Sequence, residues 1–124
     1  MKKKIMIVDD NPDFIFMVKR RLERMTDGYE VIGATNANEC FELLHHEKIP
    51  DLILLDIMMP EVDGWNLFAR LKEKPELREI PIVFLTAKTD AISIGLGKRA
   101  AQDYITKPFE ITELKERIEK ILNR

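Results

Sequence analysis

The sequence predicts an α/β fold, a doubly wound parallel sheet with helices on both faces, and three observations carry that expectation. Four short, nearly uninterrupted apolar runs recur: Ile5 to Val8, Leu52 to Leu55, Ile82 to Leu85 and a weaker Tyr104 to Ile105. Uninterrupted runs suit strands buried on both faces, as in a parallel sheet covered by helices, whereas a half-exposed strand would alternate. Helical patterns separate the runs, so strand and helix alternate five times. At 124 residues and 14.5 kDa the chain has the size of one domain, and residues 1–124 are expected to share one core.

The elements follow in order. Lys2 to Lys4 read as a solvated lead into the first strand. Asp10 or Asn11 can cap the first helix, with Pro12 at its first position, where its missing N–H costs nothing. Phe14, Val18, Leu22 and Met25 then recur at spacings of four, four and three, one expected buried stripe. Phe16 falls almost opposite that stripe, with Ile15 at its flank. Glu30 to Ile32 reads as an edge strand, and Ala37 to His46 as a helix carrying Cys40, Phe41 and Leu44 inward.

A third helix carries Trp65, Phe68, Ala69 and Leu71. The stretch Asp90 to Ala101 is expected to be a loose fourth helix, because Gly95 and Gly97 each cost about 1 kcal/mol relative to alanine. Ile111, Leu114, Ile118, Ile121 and Leu122 mark the last helix, with Glu113/Arg117 and Glu116/Lys120 as i,i+4 pairs on its wet face.

Composition narrows the function. Charged residues are 34% and hydrophobic ones 45%, the mixture of a globular protein rather than a disordered or collagenous one. The net charge of −2 offers no overall field for a polyanion, so direct nucleic-acid contact is not expected. The apolar runs last about four residues, far short of the ~20 needed to span a bilayer, and Asp9 and Asp10 interrupt any signal-like start. No membrane association and a cytoplasmic location are expected. Cys40 is the single cysteine, which excludes an internal disulfide and reads as core filler. His45 and His46 are adjacent, so on a helix they point about 100° apart and do not chelate together.

In doubly wound sheets ligands bind beyond the carboxyl ends of the strands. Asp9 and Asp10 follow the first run, Asp56 the third strand, Thr86 the fourth, and Lys107 and Pro108 the fifth. Converging carboxylates repel one another unless a cation joins them, and a hard divalent ion such as Mg²⁺ takes oxygen ligands of this kind together with a phosphate oxygen. Lys107 would face the same anionic group, and Thr86 could donate it a hydrogen bond. Two cations and a hydroxyl around one carboxylate describe phosphoryl transfer to Asp56. Asp9 and Asp10 could instead both serve as caps for the first helix, but Asp56, Thr86 and Lys107 favour the metal reading.

The chain resembles the receiver domain of two-component response regulators along nearly its whole length. The matching residues are Ile-Met-Ile-Val-Asp-Asp at 5 to 10, Leu-Leu-Asp-Ile-Met-Met-Pro at 54 to 60 with Asp63-Gly64, Thr86-Ala87, and Asp-Tyr-Ile-Thr-Lys-Pro-Phe at 103 to 109. The resemblance implies a flavodoxin-like, five-stranded sheet in the order 2-1-3-4-5 with five helices. It implies that Asp56 accepts a phosphoryl group from a phosphohistidine on a histidine kinase or histidine phosphotransfer protein, with slow self-catalysed loss. Asp10, Asp56 and the backbone carbonyl of Met58 would hold Mg²⁺, with Asp9 acting through water and Mn²⁺ able to substitute. Thr86 would move toward the phosphoryl group and Tyr104 would turn inward, altering the face built from the fourth helix, fifth strand and fifth helix. The unphosphorylated chain would be a monomer, and that face could pair two phosphorylated copies.

The resemblance also implies a cis Lys107–Pro108 peptide, and docking of the phosphodonor against the first helix and the loop after the fifth strand. Ile15, Phe16 and Pro108 are the candidate partner-binding residues. The interval from Thr86 to Lys107 is about one residue shorter than the common family pattern, and Ala100 stands where many members have glycine, so the fourth helix is expected to begin or end differently. Two rival readings turn on particular residues. An aspartyl-phosphate phosphatase would want a second acid two residues after Asp56, where Met58 stands and cannot transfer a proton. A non-phosphorylated binding module would be favoured by loss of an acid or the lysine, and all are present. The downstream target is not legible, and a stand-alone receiver and the receiver of a longer regulator are equal readings.

Overall fold

Five parallel strands lie in the order β2-β1-β3-β4-β5 in a computed structural model that describes residues 2–46, 49–57, 64–87 and 103–123, with backbone only at residues 65, 86, 87 and 103. The elements are β1 (Lys3–Val8), α1 (Pro12–Met25), β2 (Tyr29–Ala34), α2 (Ala37–His46), β3 (Leu52–Asp56), α3 (Gly64–Glu73), β4 (Ile82–Ala87), β5 (Asp103–Lys107) and a C-terminal helix, α4 (Ile111–Leu122). The strand order and the edge position of β2 are those expected. The helix expected over Asp90 to Ala101 lies outside the described residues, and with it Gly95, Gly97, Ala100 and one side of the expected switch face.

The apolar runs are continuous because both faces of each central strand are covered. Successive strand residues point to opposite sides. Met6, Val8, Ile53, Leu55 and Phe84 pack with Cys40 and Leu44 of α2 and with Leu67, Phe68 and Leu71 of α3. Ile5, Ile7, Leu52, Leu54, Val83 and Leu85 pack on the other side with α1 and α4. The sheet interior is therefore shut to solvent on both faces, and chemistry is confined to the strand ends. Burial pushes the Cys40 thiol up to about 12, against a small opposing pull from Arg70, so it is an inert core residue. His45 and His46 are exposed at the end of α2 with their rings edge to face.

The inward face of α1 differs from the stripe read off the sequence. The buried residues are Ile15, Val18 and Leu22; Phe14 and Met17 are partly buried beside them, and Met25 is 40% exposed. Ile15, expected at the flank and available to a partner, is instead 9% exposed. The cause is the close approach of α1 to β2, where a Cβ on Gly33 would stand 2.3 Å from Ile15 Cγ2. Phe16 is 61% exposed, as its place on the helical wheel required.

Smaller differences have equally local causes. Lys3 and Lys4 belong to β1 rather than to a lead, since they pair in register with Tyr29 and Glu30. Ala69 is exposed and Leu67 buried, which turns the apolar side of α3 slightly from the expected one. On α4 the Glu113–Arg117 pair is present at 3.7 Å, and the second i,i+4 pair joins Lys115 to Glu119. The open edge of β2 is protected at Val31, whose N–H donates to Glu23 Oε2 at 2.8 Å while its carbonyl accepts from Lys19 Nζ at 2.7 Å.

The reassigned face of α1 gives a direct prediction. Ile15→Ala should destabilise the fold by about 2–4 kcal/mol through cavity formation, while Phe16→Ala should stay within about 0.5 kcal/mol of the parent. Urea unfolding of the two variants checks this, and equal midpoints would contradict the assignment.

Candidate functional site

The carboxyl ends of β1 and β3 are adjacent, with Val8 beside Leu55, and the chain leaves β1 for β2 on one side and later enters β3 on the other. This reversal of strand order is where a doubly wound sheet leaves a crevice. Asp9 and Asp10 follow β1, and Asp56 closes β3. Each of the three offers a carboxylate oxygen within 4.8 Å of the others, the one such acidic group among the described residues. Asp9 is 1% exposed and Asp56 6%, while Asp10 faces solvent.

Local structure explains how the acids stay there. Asp9 Oδ1 accepts from the Asn11 N–H at 3.0 Å, and the Asp9 N–H donates to the Ala34 carbonyl at 3.0 Å. Asn11, not Asp10, is the N-cap of α1; its Oδ1 accepts from the N–H groups of Asp13 and Phe14 at 3.0 and 3.3 Å. Asp10 is thereby left with its carboxylate at the mouth of the crevice. Asp56 is fixed from behind, because a Cβ on Gly64 would stand 2.4 Å from the Asp56 carbonyl oxygen and 2.6 Å from Ile57 Cα. The Gly64 N–H donates to the Ile57 carbonyl at 2.6 Å, tying the start of α3 against the strand end.

Lys107 arrives from β5. Its Nζ donates to Asp9 Oδ2 at 2.7 Å and lies 3.8 Å from Asp56 Oδ2. Among the described residues, three carboxylates thus meet at this edge with one ammonium beside two of them, an excess of negative charge that a hard divalent cation would offset. The all-oxygen donor set fits Mg²⁺ and fits soft metals poorly.

The remaining expected site residues are placed as follows. Thr86 is near the end of β4, its backbone beside Thr106 of β5; its side chain lies outside the described residues. Met58 lies outside them as well. Tyr104 on β5 is half-buried against the cluster that holds Phe84, and its carbonyl accepts from Arg117 Nη1 of α4 at 3.2 Å. The Lys107–Pro108 peptide is cis, as expected, and Pro108 is exposed. Among the described residues no helix is long and apolar enough to cross a membrane.

Two features have no signal in the sequence alone. Gly64 is legible as part of the Asp63-Gly64 motif but not as the contact that presses on the Asp56 backbone, which only the three-dimensional approach of α3 reveals. The apolar stripe assigns Phe14 to the core, whereas the Lys107 ammonium sits 4.2 Å from its ring centroid. Helical spacing places Phe14 on a face but cannot tell which residue from the far edge of the sheet will cross it.

Gly64→Ala should cost about 1–3 kcal/mol, because the three nearest atoms that the new methyl meets are all backbone and the strand end must shift. Thermal unfolding should show a melting temperature several degrees lower. Parental melting would contradict the tight approach of Gly64 to Asp56.

Comparisons with known proteins converge on one family. Residues 5–119 match the response regulator receiver domain. The alkaline phosphatase synthesis transcriptional regulatory protein PhoP of Bacillus subtilis (strain 168) is 39% identical over 125 residues, covering 100% of this chain and 50% of that protein. The chain spans about half the length of the curated relatives it matches. The signal receiver domain of a signal transduction histidine kinase from Syntrophus aciditrophicus superposes with a TM-score of 0.84 at 34% identity, covering 98% of this chain and 90% of that one. A two-component response regulator from Clostridium difficile superposes with a TM-score of 0.86 at 29% identity, covering 99% and 98%. The chain belongs to the response regulator receiver domain family.

Proposed function

We propose that this chain is a phosphoacceptor: Asp56 receives a phosphoryl group, in a Mg²⁺-dependent step, from a phosphohistidine on a histidine kinase or histidine phosphotransfer protein. The observation that carries the reading is the gathering of Asp9, Asp10, Asp56 and Lys107 at the point where the strand order reverses. Residues 1–124 act as one receiver unit, monomeric until phosphorylated.

The residues divide the work. An Asp56 carboxylate oxygen attacks phosphorus, and the new P–O bond forms as the P–N bond to the donor imidazole breaks. Asp10 and Asp56, with the carbonyl of Met58 and with Asp9 through water, would hold Mg²⁺, which would supply positive charge to the transferred phosphoryl group; Mn²⁺ could take its place. Lys107 is already held 3.8 Å from Asp56 and neutralises charge on the transferred group. Thr86 donates a hydrogen bond to that group from the end of β4. Water then hydrolyses the acyl phosphate slowly, so the chain catalyses its own loading and unloading without being a turnover enzyme.

The signal leaves through β5. Tyr104 turns further inward as Thr86 moves, and the tie from Arg117 to the Tyr104 carbonyl passes the change to α4. That face, completed by the helix expected over Asp90 to Ala101, presents the state to a target and can pair two phosphorylated copies. Phe16 and Pro108, both exposed, are the proposed partner contacts; Ile15, on the buried face of α1, supports that surface from within.

Two experiments test the reading. Incubation with phosphoramidate and Mg²⁺ should add one phosphoryl group by intact mass, and Asp56→Asn should lower the stoichiometry to background. Equal labelling of the variant would overturn the assignment. Saturation of the site at about ten times its dissociation constant should raise native stability by ~1.4 kcal/mol. The melting temperature should rise with Mg²⁺ in the parent and not in Asp10→Ala, and the same rise in both would remove Asp10 from the site.

A further inference from the structure

Three groups lie close to the Lys107 ammonium, and one of them is not a charge. Asp9 Oδ2 lies 2.7 Å away, Asp56 Oδ2 3.8 Å, and the Phe14 ring centroid 4.2 Å. A cation within about 6 Å of an aromatic face is drawn to the ring's quadrupole, more strongly where water is partly excluded. Phe14 is partly buried against the core cluster on the α1 side of the sheet. A lysine stem is flexible and has about 2 kcal/mol of rotamer entropy to lose on being fixed. The ring further narrows the volume that the ammonium can sample.

The ring is itself held in place. Phe109, two residues past Lys107, meets it edge to face, with centroids 6.0 Å apart and planes at 81°. The Phe14 N–H donates to the Asn11 cap, and the Asn11 N–H donates in turn to Asp9, the same carboxylate that receives Lys107. Phe14 is therefore tied through its backbone to one partner of the lysine and through its ring to the chain that follows the lysine.

We infer that Phe14 is a positioning residue for phosphoryl transfer, its ring face holding the Lys107 ammonium at the mouth of the acidic crevice. The inference rests on the role given to Lys107 in the proposed reaction. It also makes a claim about the resting protein that needs no reaction, namely that the lysine terminus lies over an aromatic face.

Both levels can be measured. In the Mg²⁺-free protein, ring current should move the Lys107 Hε protons upfield, and Phe14→Leu should return them toward ordinary lysine values while Phe14→Tyr keeps them shifted. With phosphoramidate and Mg²⁺, Phe14→Leu should be phosphorylated about 2- to 5-fold more slowly than the parent, the range expected of an exposed cation–π contact. Phe14→Tyr should restore the parental rate. In a Lys107→Gln background, followed over longer incubation, Phe14→Leu should make no further difference, since the ring then has no cation to hold.

Unshifted Lys107 protons in the parent would overturn the inference and leave the proposed reaction standing. So would an equal slowing by Phe14→Leu with and without the lysine, because packing alone would then account for it. Parental phosphorylation of Lys107→Gln would instead overturn the role of the lysine and, with it, the role of Phe14 in the reaction.

Discussion

A carboxylate as enclosed as Asp9 loses its water, and such a group is tolerated in a protein only when positive charge and hydrogen-bond donors replace that water. Asp9 receives the Lys107 ammonium and the Asn11 N–H. The two partners of the ion pair are separated by 98 positions in the chain, and β3 and β4 lie between their strands. They meet because all five strands run in the same direction and end on the same edge. Much of the remaining architecture follows from holding that edge still: apolar burial on both sheet faces, the cap at the start of α1, and the glycine at the start of α3.

The same arrangement sets up its own chemistry. One lysine bonds Asp9 and leaves Asp10 exposed, and three carboxylates share the crevice, so it keeps affinity for further positive charge. Because the sheet interior is packed, that charge can arrive only at the strand ends, beside the carboxylate best placed to act as acceptor. A phosphoryl group arriving there would compete with Asp9 for Lys107. The lysine lies at the end of β5, the strand that also carries Tyr104. In the proposed function a change at the anion site would pass along one short strand to a tyrosine half-buried in the core and to Arg117 on the C-terminal helix. That route would be a strand of five residues rather than a long relay.

Strands were the most legible elements, since a central strand covered on both sides has to be apolar at successive positions and few other structures ask for that. The three acids and the lysine were legible for a related reason: each stands where an apolar run stops. The face of α1 was harder to read. Residues 14 to 18 are Phe-Ile-Phe-Met-Val, an unbroken apolar stretch in which more than one phase of a helical stripe is satisfied. The phase was settled by Gly33, whose missing side chain lets Ile15 sink onto β2 and rotates Met25 outward. Phe16 survived the ambiguity because it is opposite the core under either phase. The contact between Phe14 and Lys107 had no local signal, because it joins the first helix to the last strand.

Chemical mapping of the phosphoryl group tests most directly whether the acidic crevice is the acceptor site. The protein would be treated with phosphoramidate with and without Mg²⁺, reduced with borohydride to convert any aspartyl phosphate to homoserine, and digested for peptide mass analysis. Homoserine should be found at position 56 alone, and only when Mg²⁺ is present. Conversion at another aspartate, or equal conversion at position 56 without the metal, would contradict the assignment of Asp56 and its neighbours as a metal-dependent phosphoacceptor site.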